Sequence, residues 1–328
     1  MTESRIEPGQ ITTRAKMKKL FGGGDQEGII LSKATPNILI YTDHASGKEY
    51  GYEDGWLEEE DEQGPIFEYT GKGRTGHQTF EGLAGSRNKA ILRHVDDGRS
   101  LRLFMAAGKD PSSNSSAKQQ RYLGEFELDA KQPYTIREAD DPDGNRRLII
   151  VFRLRPKGTV QHIPEDAITP APTTQVQQVS AAVTASSMVE PPDRPVSQSR
   201  RSAQPSTIAE HRKMQLLGDY HRHLNEQQHE IFAYQIKIAG TRSTLKTDLY
   251  DATDHVLYCV KGESSREDIR MAIGQLKDYV RHINPANPKL TVLLPEKPHE
   301  DLQDLLSREG IGLVYQDGEK YITHLSGS

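Results

Sequence analysis

The feature that most constrains this chain is a long stretch without one aromatic side chain. Between Phe152 and Tyr220 there is no Phe, Tyr or Trp, and residues 157–206 are dominated by Pro, Ser, Thr, Gln and Ala. A sequence of that kind buries too little apolar surface to offset the entropy of ordering it. It predicts a flexible linker of roughly 50 residues, with a mean reach of roughly 40 Å for a random coil. Two modules flank it, residues 1–156 and 207–328, and a chain of 328 residues is long enough for both. The low apolar fraction, 34%, then reflects the linker and not two weak cores.

Charge and cysteine content exclude several classes. The chain has 42 basic and 47 acidic residues, a formal charge of −5. A bulk electrostatic binder of nucleic acid is usually basic, so a nucleic-acid site here must be local. Cys259 is the only cysteine, which excludes an intrachain disulfide and a cysteine-based structural zinc site. The 12 histidines include no HxxxH pair with a matching carboxylate, and no zinc site is expected. No apolar run approaches the ~20 residues of a membrane helix, and the start, MTESRIEPGQ, has no apolar signal region. A cytoplasmic protein with no membrane partner is the expectation.

The modules differ in texture. Residues 1–156 carry short apolar runs (GIILS, NILIYTD, IFEYTG, SLRLFM, YLGEFEL, RLIIVFRL) broken by Gly and Asp. These read as strands of a mainly β barrel or sandwich. Residues 207–328 alternate. A helix over TIAEHRKMQLLGDYHRHLNEQQ is followed by strands FAYQIKIAG, LKTDLYDA and HVLYCVKG, then helix REDIRMAIGQLKDYVRHI, strand KLTVLLP, helix EDLQDLLSREG and two short strands. That order describes an α/β domain, and the chain as a whole is an α+β multidomain protein.

In the carboxy-terminal module Asp248 ends one strand-like run, and Lys261 lies near the end of the next. A hairpin would bring the acid and the lysine to one sheet edge. Such a pair suits metal-assisted phosphodiester hydrolysis, the carboxylate holding Mg²⁺ and the lysine stabilising charge that develops on phosphate. At Thr247-Asp248, Cys259-Val260-Lys261 and Gln275-Leu276-Lys277-Asp278-Tyr279 the module resembles the PD-(D/E)xK nuclease superfamily and its QxxxY motif. The resemblance implies catalytic roles for Asp248, Lys261, Gln275 and Tyr279 and a Mg²⁺ cofactor. Cys259 stands where that superfamily carries Asp or Glu, and cysteine is a poor ligand for a hard cation. The helix position that would carry a further acid is Lys213, with Glu210 close by. The missing carboxylate could be supplied by Glu263 or Glu267, and Asp248 with Glu263 is the expected metal pair. Read without the resemblance, Cys259 is a small buried apolar residue.

The densest signal in the amino-terminal module lies between Tyr50 and Phe104. Aromatics sit beside acids and short hydroxyl residues, and a Gly-rich basic loop follows Tyr69-Thr70-Gly71. An extruded base can be held between aromatic rings, and a carboxylate can accept from the exocyclic amine of cytosine. Trp56 reads as core packing. The GGGDQEG run at 22–28 lacks Gly-Lys-Ser/Thr and reads as a turn.

At Tyr52-Glu53-Asp54-Gly55, Tyr69-Thr70-Gly71, Gly85-Ser86-Arg87-Asn88-Lys89-Ala90 and Gly98-x-x-Leu101-x-Leu103 this module resembles the SRA domain, a PUA-like β-barrel that flips a modified cytosine out of duplex DNA. Carried over by position, Tyr52 and Tyr69 would stack on the base, Asp54 would read its edge and Thr70 would line the pocket. Lys72, Arg74, Arg87, Asn88 and Lys89 would meet phosphates. The acidic run from Glu58 to Glu62 lengthens the gap between the two tyrosines, so Asp61 or Glu62 is an alternative base-reading acid. Together the two resemblances imply a modification-dependent, type IV-like restriction endonuclease acting on double-stranded DNA with 5-methyl- or 5-hydroxymethylcytosine. One active site per chain predicts a homodimer. The alternative is a non-catalytic reader whose nuclease-like domain serves DNA contact or dimerisation.

Overall fold

The apolar runs of the first module become strands because β-branched and aromatic residues pack well on a pleated surface. A computed structural model describes residues 6–61, 64–111, 117–130, 132–181, 205–284 and 287–324. The chain divides into two compact units at Thr169/Pro170.

The first unit runs β1 (Ile11–Thr12), α1 (Arg14–Phe21), β2 (Ile29–Leu31), β3 (Asn37–Thr42), α2 (His44–Lys48), β4 (Gly55–Asp61), β5 (Gly64–Thr70), α3 (Gly82–Leu92), β6 (Ser100–Lys109), β7 (Lys118–Leu128), β8 (Tyr134–Asp140) and β9 (Arg146–Val160). These form one nine-stranded sheet in the order β2-β3-β6-β7-β9-β5-β4, with β1 on β7 and β8 on β9. All pairs are antiparallel except β3 with β6. A barrel was the expectation; among the described residues the pairing is a path whose ends do not pair. Irregularities in register interrupt β4/β5, β6/β7 and β7/β9, the usual means by which a sheet bends. Trp56 is fully buried, edge-on to Phe67 with centroids 5.2 Å apart, so the sequence reading of it as core holds.

The second unit contains β10 (Gln175–Val179), α4 (Pro205–Glu226), β11 (Ile231–Lys237), β12 (Thr244–Lys246), β13 (Leu249–Asp251), β14 (Val256–Val260), α5 (Arg266–Tyr279), β15 (Lys289–Leu294), α6 (Glu300–Arg308), β16 (Gly312–Asp317) and β17 (Lys320–His324). The sheet order is β10-β11-β13-β14-β15-β16-β17, with β12 on β11. β14, β15 and β16 run parallel and the other pairs antiparallel. Every residue of β14 is buried, and its side chains alternate. Leu257 and Cys259 pack with Ile269, Ala272 and Leu276 of α5, whereas Val256, Tyr258 and Val260 pack with Leu216, Leu217 and Tyr220 of α4. The strand period of two thus distributes one sequence between helices on opposite faces.

The structure corrects the linker. Residues 157–181 are ordered: β9 continues to Val160, Pro164–Asp166 form a 3₁₀ turn, Ile168 packs with Leu57 and Ile66, and β10 pairs with β11 from Gln175↔Lys237 to Val179↔Ala233. An edge strand such as QVQQV is held by main-chain bonds and needs few apolar side chains, so composition does not reveal it. Residues 182–204 of the expected linker lie outside the described residues.

The first sheet also buries charge. Glu68 is 0% exposed at the centre of β5. It accepts two hydrogen bonds of 2.7 Å from Arg137 on β8 and one of 3.3 Å from Arg153 on β9. Removing one member of a buried ion pair strands the rest. Glu68→Ala is therefore expected to lower stability by about 3–5 kcal/mol. Urea unfolding followed by the fluorescence of Trp56, the only tryptophan, reports this unit separately.

Candidate functional site

In the first unit the functional residues gather where β3 and β5 end, β4 begins and the loop after β5 starts. Asp54 accepts from the Thr42 hydroxyl (2.6 Å) through Oδ2 and from the Thr70 N–H (2.7 Å) through Oδ1. Burial pushes its carboxyl above the ordinary range, against the pull of these two hydrogen bonds. Each oxygen keeps a lone pair for a further donor. Tyr69 is buried beside it; burial, then the nearby Asp54 and Tyr52, hold its hydroxyl well above the usual phenol range. Tyr52 is half-buried and its hydroxyl donates to the Gly73 carbonyl.

The loop from Gly71 to Gly76 is fastened from behind. Gln78 Nε2 donates to the carbonyls of Gly71 (2.7 Å) and Gly73 (3.1 Å), and Arg147 donates to Gly73 O (2.6 Å) and Tyr50 O (2.9 Å). Asn88 Oδ1 accepts from Lys72 N–H (2.6 Å), while its Nδ2 donates to the Lys72 and Thr79 carbonyls. A Cβ at Gly71 would lie 2.8 Å from Asn88 Oδ1 and 3.0 Å from Gln78 Oε1, so only glycine fits there. Lys72 and Arg74 are left exposed on a fixed backbone.

Asn88 corrects the sequence reading. It was expected at a phosphate, but it is 0% exposed and both ends of its amide hold the loop. Arg87 and Lys89 flank it, half-buried. Glu62 lies outside the described residues, and Asp61 ends β4. The sequence reading missed Glu27. Its Oε2 pairs with both Lys72 (3.2 Å) and Arg87 (3.0 Å). The run taken as a plain turn therefore carries a carboxylate onto the two expected phosphate ligands.

The second unit brings five sequence-chosen residues together. Lys261 Nζ and Cys259 Sγ both donate to Gln275 Oε1, at 2.8 and 3.3 Å. Asp248 receives the Val260 N–H on Oδ2 (2.8 Å). Tyr279 faces Asp248, Cys259 and Lys213; burial first, then the two acidic groups, raise its hydroxyl above the usual range. The contact the sequence did not show is Lys213 on α4, whose ammonium lies 2.8 Å from Asp248 Oδ1. Burial alone would raise the Asp248 carboxyl, but Lys213, the Val260 N–H and Lys261 together hold it below the usual range. A Cβ at Gly262 would stand 1.9 Å from the Ala209 carbonyl, so glycine there lets α4 lie against the chain just past β14.

Glu263 follows Gly262, past the end of β14, and is half-buried. Glu267 sits exposed in the first turn of α5. The second carboxylate near Asp248 is Glu210, one turn before Lys213. Burial, then the Asp248 charge, push it upward, while Lys213 and Lys261 pull it down.

These residues do not fit Mg²⁺. A hard dication needs several free oxygen ligands. The Lys213 ammonium already stands against Asp248, Gln275 Oε1 takes two donors, and burial pushes the Cys259 thiol up to about 12, which keeps it protonated. Two ammonium groups already balance the two carboxylates. Unit charges ~4 Å apart interact by about 4 kcal/mol at an effective dielectric of about 20, and a dication doubles the repulsion from each lysine.

Residues 8–170 match the family described as the ScoMcrA-like SRA domain. The amino-terminal region is accordingly an SRA domain of ScoMcrA type. Among solved structures the chain is similar to the type IV phosphorothioation-dependent restriction endonuclease ScoMcrA, with 18% identity and a TM-score of 0.34 over 50% of this chain and 28% of that one. It is similar also to the sulfur-binding and SRA domains of ScoMcrA complexed with phosphorothioated DNA (18% identity, TM-score 0.34, 49% of this chain and 44% of that one). A third is the SUVH5 SRA domain with hemi-methylated CG DNA (18% identity, TM-score 0.31, 48% and 94%). The chain spans less than half the length of the two ScoMcrA chains. No curated protein matches the sequence. Among the described residues no helix is long and apolar enough to cross a membrane.

The buried thiol gives a direct check. A protonated, 2% exposed Cys259 is expected to react with an aromatic disulfide reagent on the order of a thousandfold more slowly in the native chain than after unfolding. Absorbance of the released thiolate measures both rates on the only cysteine present.

Proposed function

We propose that this chain is a reader of chemically modified bases in duplex DNA. The observation that carries the reading is the SRA match over residues 8–170, in which Asp54 is held by neutral donors with acceptor capacity left over. SRA-containing structures with phosphorothioated and with methylated DNA are in keeping with it. In this reading a modified cytosine leaves the stack, Tyr52 and Tyr69 hold its faces, and Asp54 accepts from its exocyclic amine, with Thr70 beside it. Lys72, Arg74, Arg87 and Lys89 hold the backbone through phosphates, which fixes register but carries no sequence information.

Thr42 and Thr70 orient Asp54 without neutralising it. That matters for discrimination, because a cation-paired carboxylate would already be satisfied, whereas this one gains a donor only when the correct base edge arrives. Unpaired buried polar groups are what make such a site reject the wrong partner. The reader acts without hydrolysing DNA, because the cluster at Asp248 does not fit the metal that the PD-(D/E)xK resemblance implies.

The test is binding and cleavage on duplexes that each carry one cytosine modification, with Mg²⁺ present. Selective binding to one modified duplex without cleavage is expected. Equal binding to unmodified DNA would sink the reading, and Mg²⁺-dependent cleavage would restore the endonuclease. Asp54→Asn should reduce discrimination between modified and unmodified duplex by about 1–3 kcal/mol, roughly 5–150-fold in affinity. Glu27→Gln acts differently. It frees Lys72 and Arg87, so affinity for modified and unmodified duplex should rise together by about 1.5–5-fold, the worth of an exposed ion pair, and fluorescence anisotropy at fixed salt measures both.

A further inference from the structure

We infer that Lys213 takes the place of the metal ion in the second unit, so that the Asp248 cluster is a closed, metal-independent ion-pair site. This goes beyond the DNA-reading proposal and does not depend on it. Four observations converge. The lysine lies on α4, the helix that packs on one face of β14, and its Nζ is 2.8 Å from Asp248 Oδ1. The other Asp248 oxygen is taken by the Val260 N–H at 2.8 Å. Cys259 contributes a thiol where a third carboxylate would stand, and that thiol donates to Gln275. Lys261 donates to the same amide oxygen and not to an acid.

A largely enclosed carboxylate just before a sheet strand needs a counter-charge. A bound dication supplies one that can dissociate and that carries open coordination positions. An ammonium on a helix supplies one that cannot leave and offers donors only. The two solutions oppose each other, since the ammonium and the ion would meet at the same carboxylate and their like charges repel. The arrangement is also close-packed, because Gly262 lets the chain lie against the α4 backbone at Ala209 and brings Lys213 within reach of Asp248.

The test uses Mn²⁺ as a paramagnetic probe, counted by electron paramagnetic resonance on the full chain. His229, Asp251 and Asp254 place ligand atoms within 4.8 Å of one another, so ion bound elsewhere is separated by comparison with Asp248→Asn. The wild-type chain is expected to bind no Mn²⁺ that Asp248→Asn loses. The double variant Lys213→Glu, Cys259→Glu is expected to gain a site that a further Asp248→Asn removes, with affinity at least about tenfold above the wild-type background. Mn²⁺ binding by the wild-type chain that Asp248→Asn abolishes would overturn the inference, and this measurement needs only the wild-type and Asp248→Asn proteins. A folded double variant with no new site would overturn it too, by showing that Lys213 is not what stands in the ion's place.

Discussion

A carboxylate folded into a sheet must be answered by something, and the choice of answer organises both halves of this molecule. In the second unit Asp248 lies where β13 begins and is met by an ammonium from α4. That pairing depends on nearly everything around it. β14 must be apolar on both faces to sit between two helix layers, α4 must approach the chain at Gly262 closely enough for Lys213 to reach, and α5 must present Gln275 to Lys261 and Cys259. Each is a packing requirement, and the ion pair is what they jointly position.

The first unit answers its enclosed acids, one buried and one half-buried, in two ways. Glu68 is matched by two arginines from neighbouring strands, a cross-sheet tie that closes off its chemistry. Asp54 receives only a hydroxyl and a main-chain N–H, and burial leaves its carboxyl above the ordinary range. The contrast separates scaffold from site. A carboxylate clasped by two arginines is tied to the scaffold, whereas one held by neutral donors can still take a further donor.

Much of this was legible in the sequence. The order Asp248, Cys259, Lys261, Gln275, Tyr279 encodes strand, strand and helix, and residues two apart on a strand share a face, so their convergence follows from periodicity. Glu263 lies past Gly262, beyond the end of β14, where strand periodicity no longer says which way it faces. Lys213 stood out as an irregularity, but its contact with Asp248 depends on how a helix packs on a sheet 35 residues later, which local pattern does not carry. Asn88 could have been placed correctly. Gly85, Asn88 and Ile91 recur every third residue of α3 and are all buried, a helical stripe that argues for an inward amide over a phosphate contact. Glu27 and β10 were missed for a different reason, since a single acid in a glycine-rich turn and a strand of glutamines leave no pattern to read.

The position of β10 bears on where the chain can be divided. It pairs along β11 from Ala233 to Lys237, although 25 residues separate its end, Val179, from the first residue of α4, Pro205. A fragment begun at residue 207, where composition alone draws the boundary, would lose that strand and leave the main-chain groups of β11 open along one side. Open edges of this kind recruit other strands. Separating the two functions by dissection therefore carries a risk of self-association unless the cut falls before Gln175, ahead of a segment that its own sequence presents as dispensable.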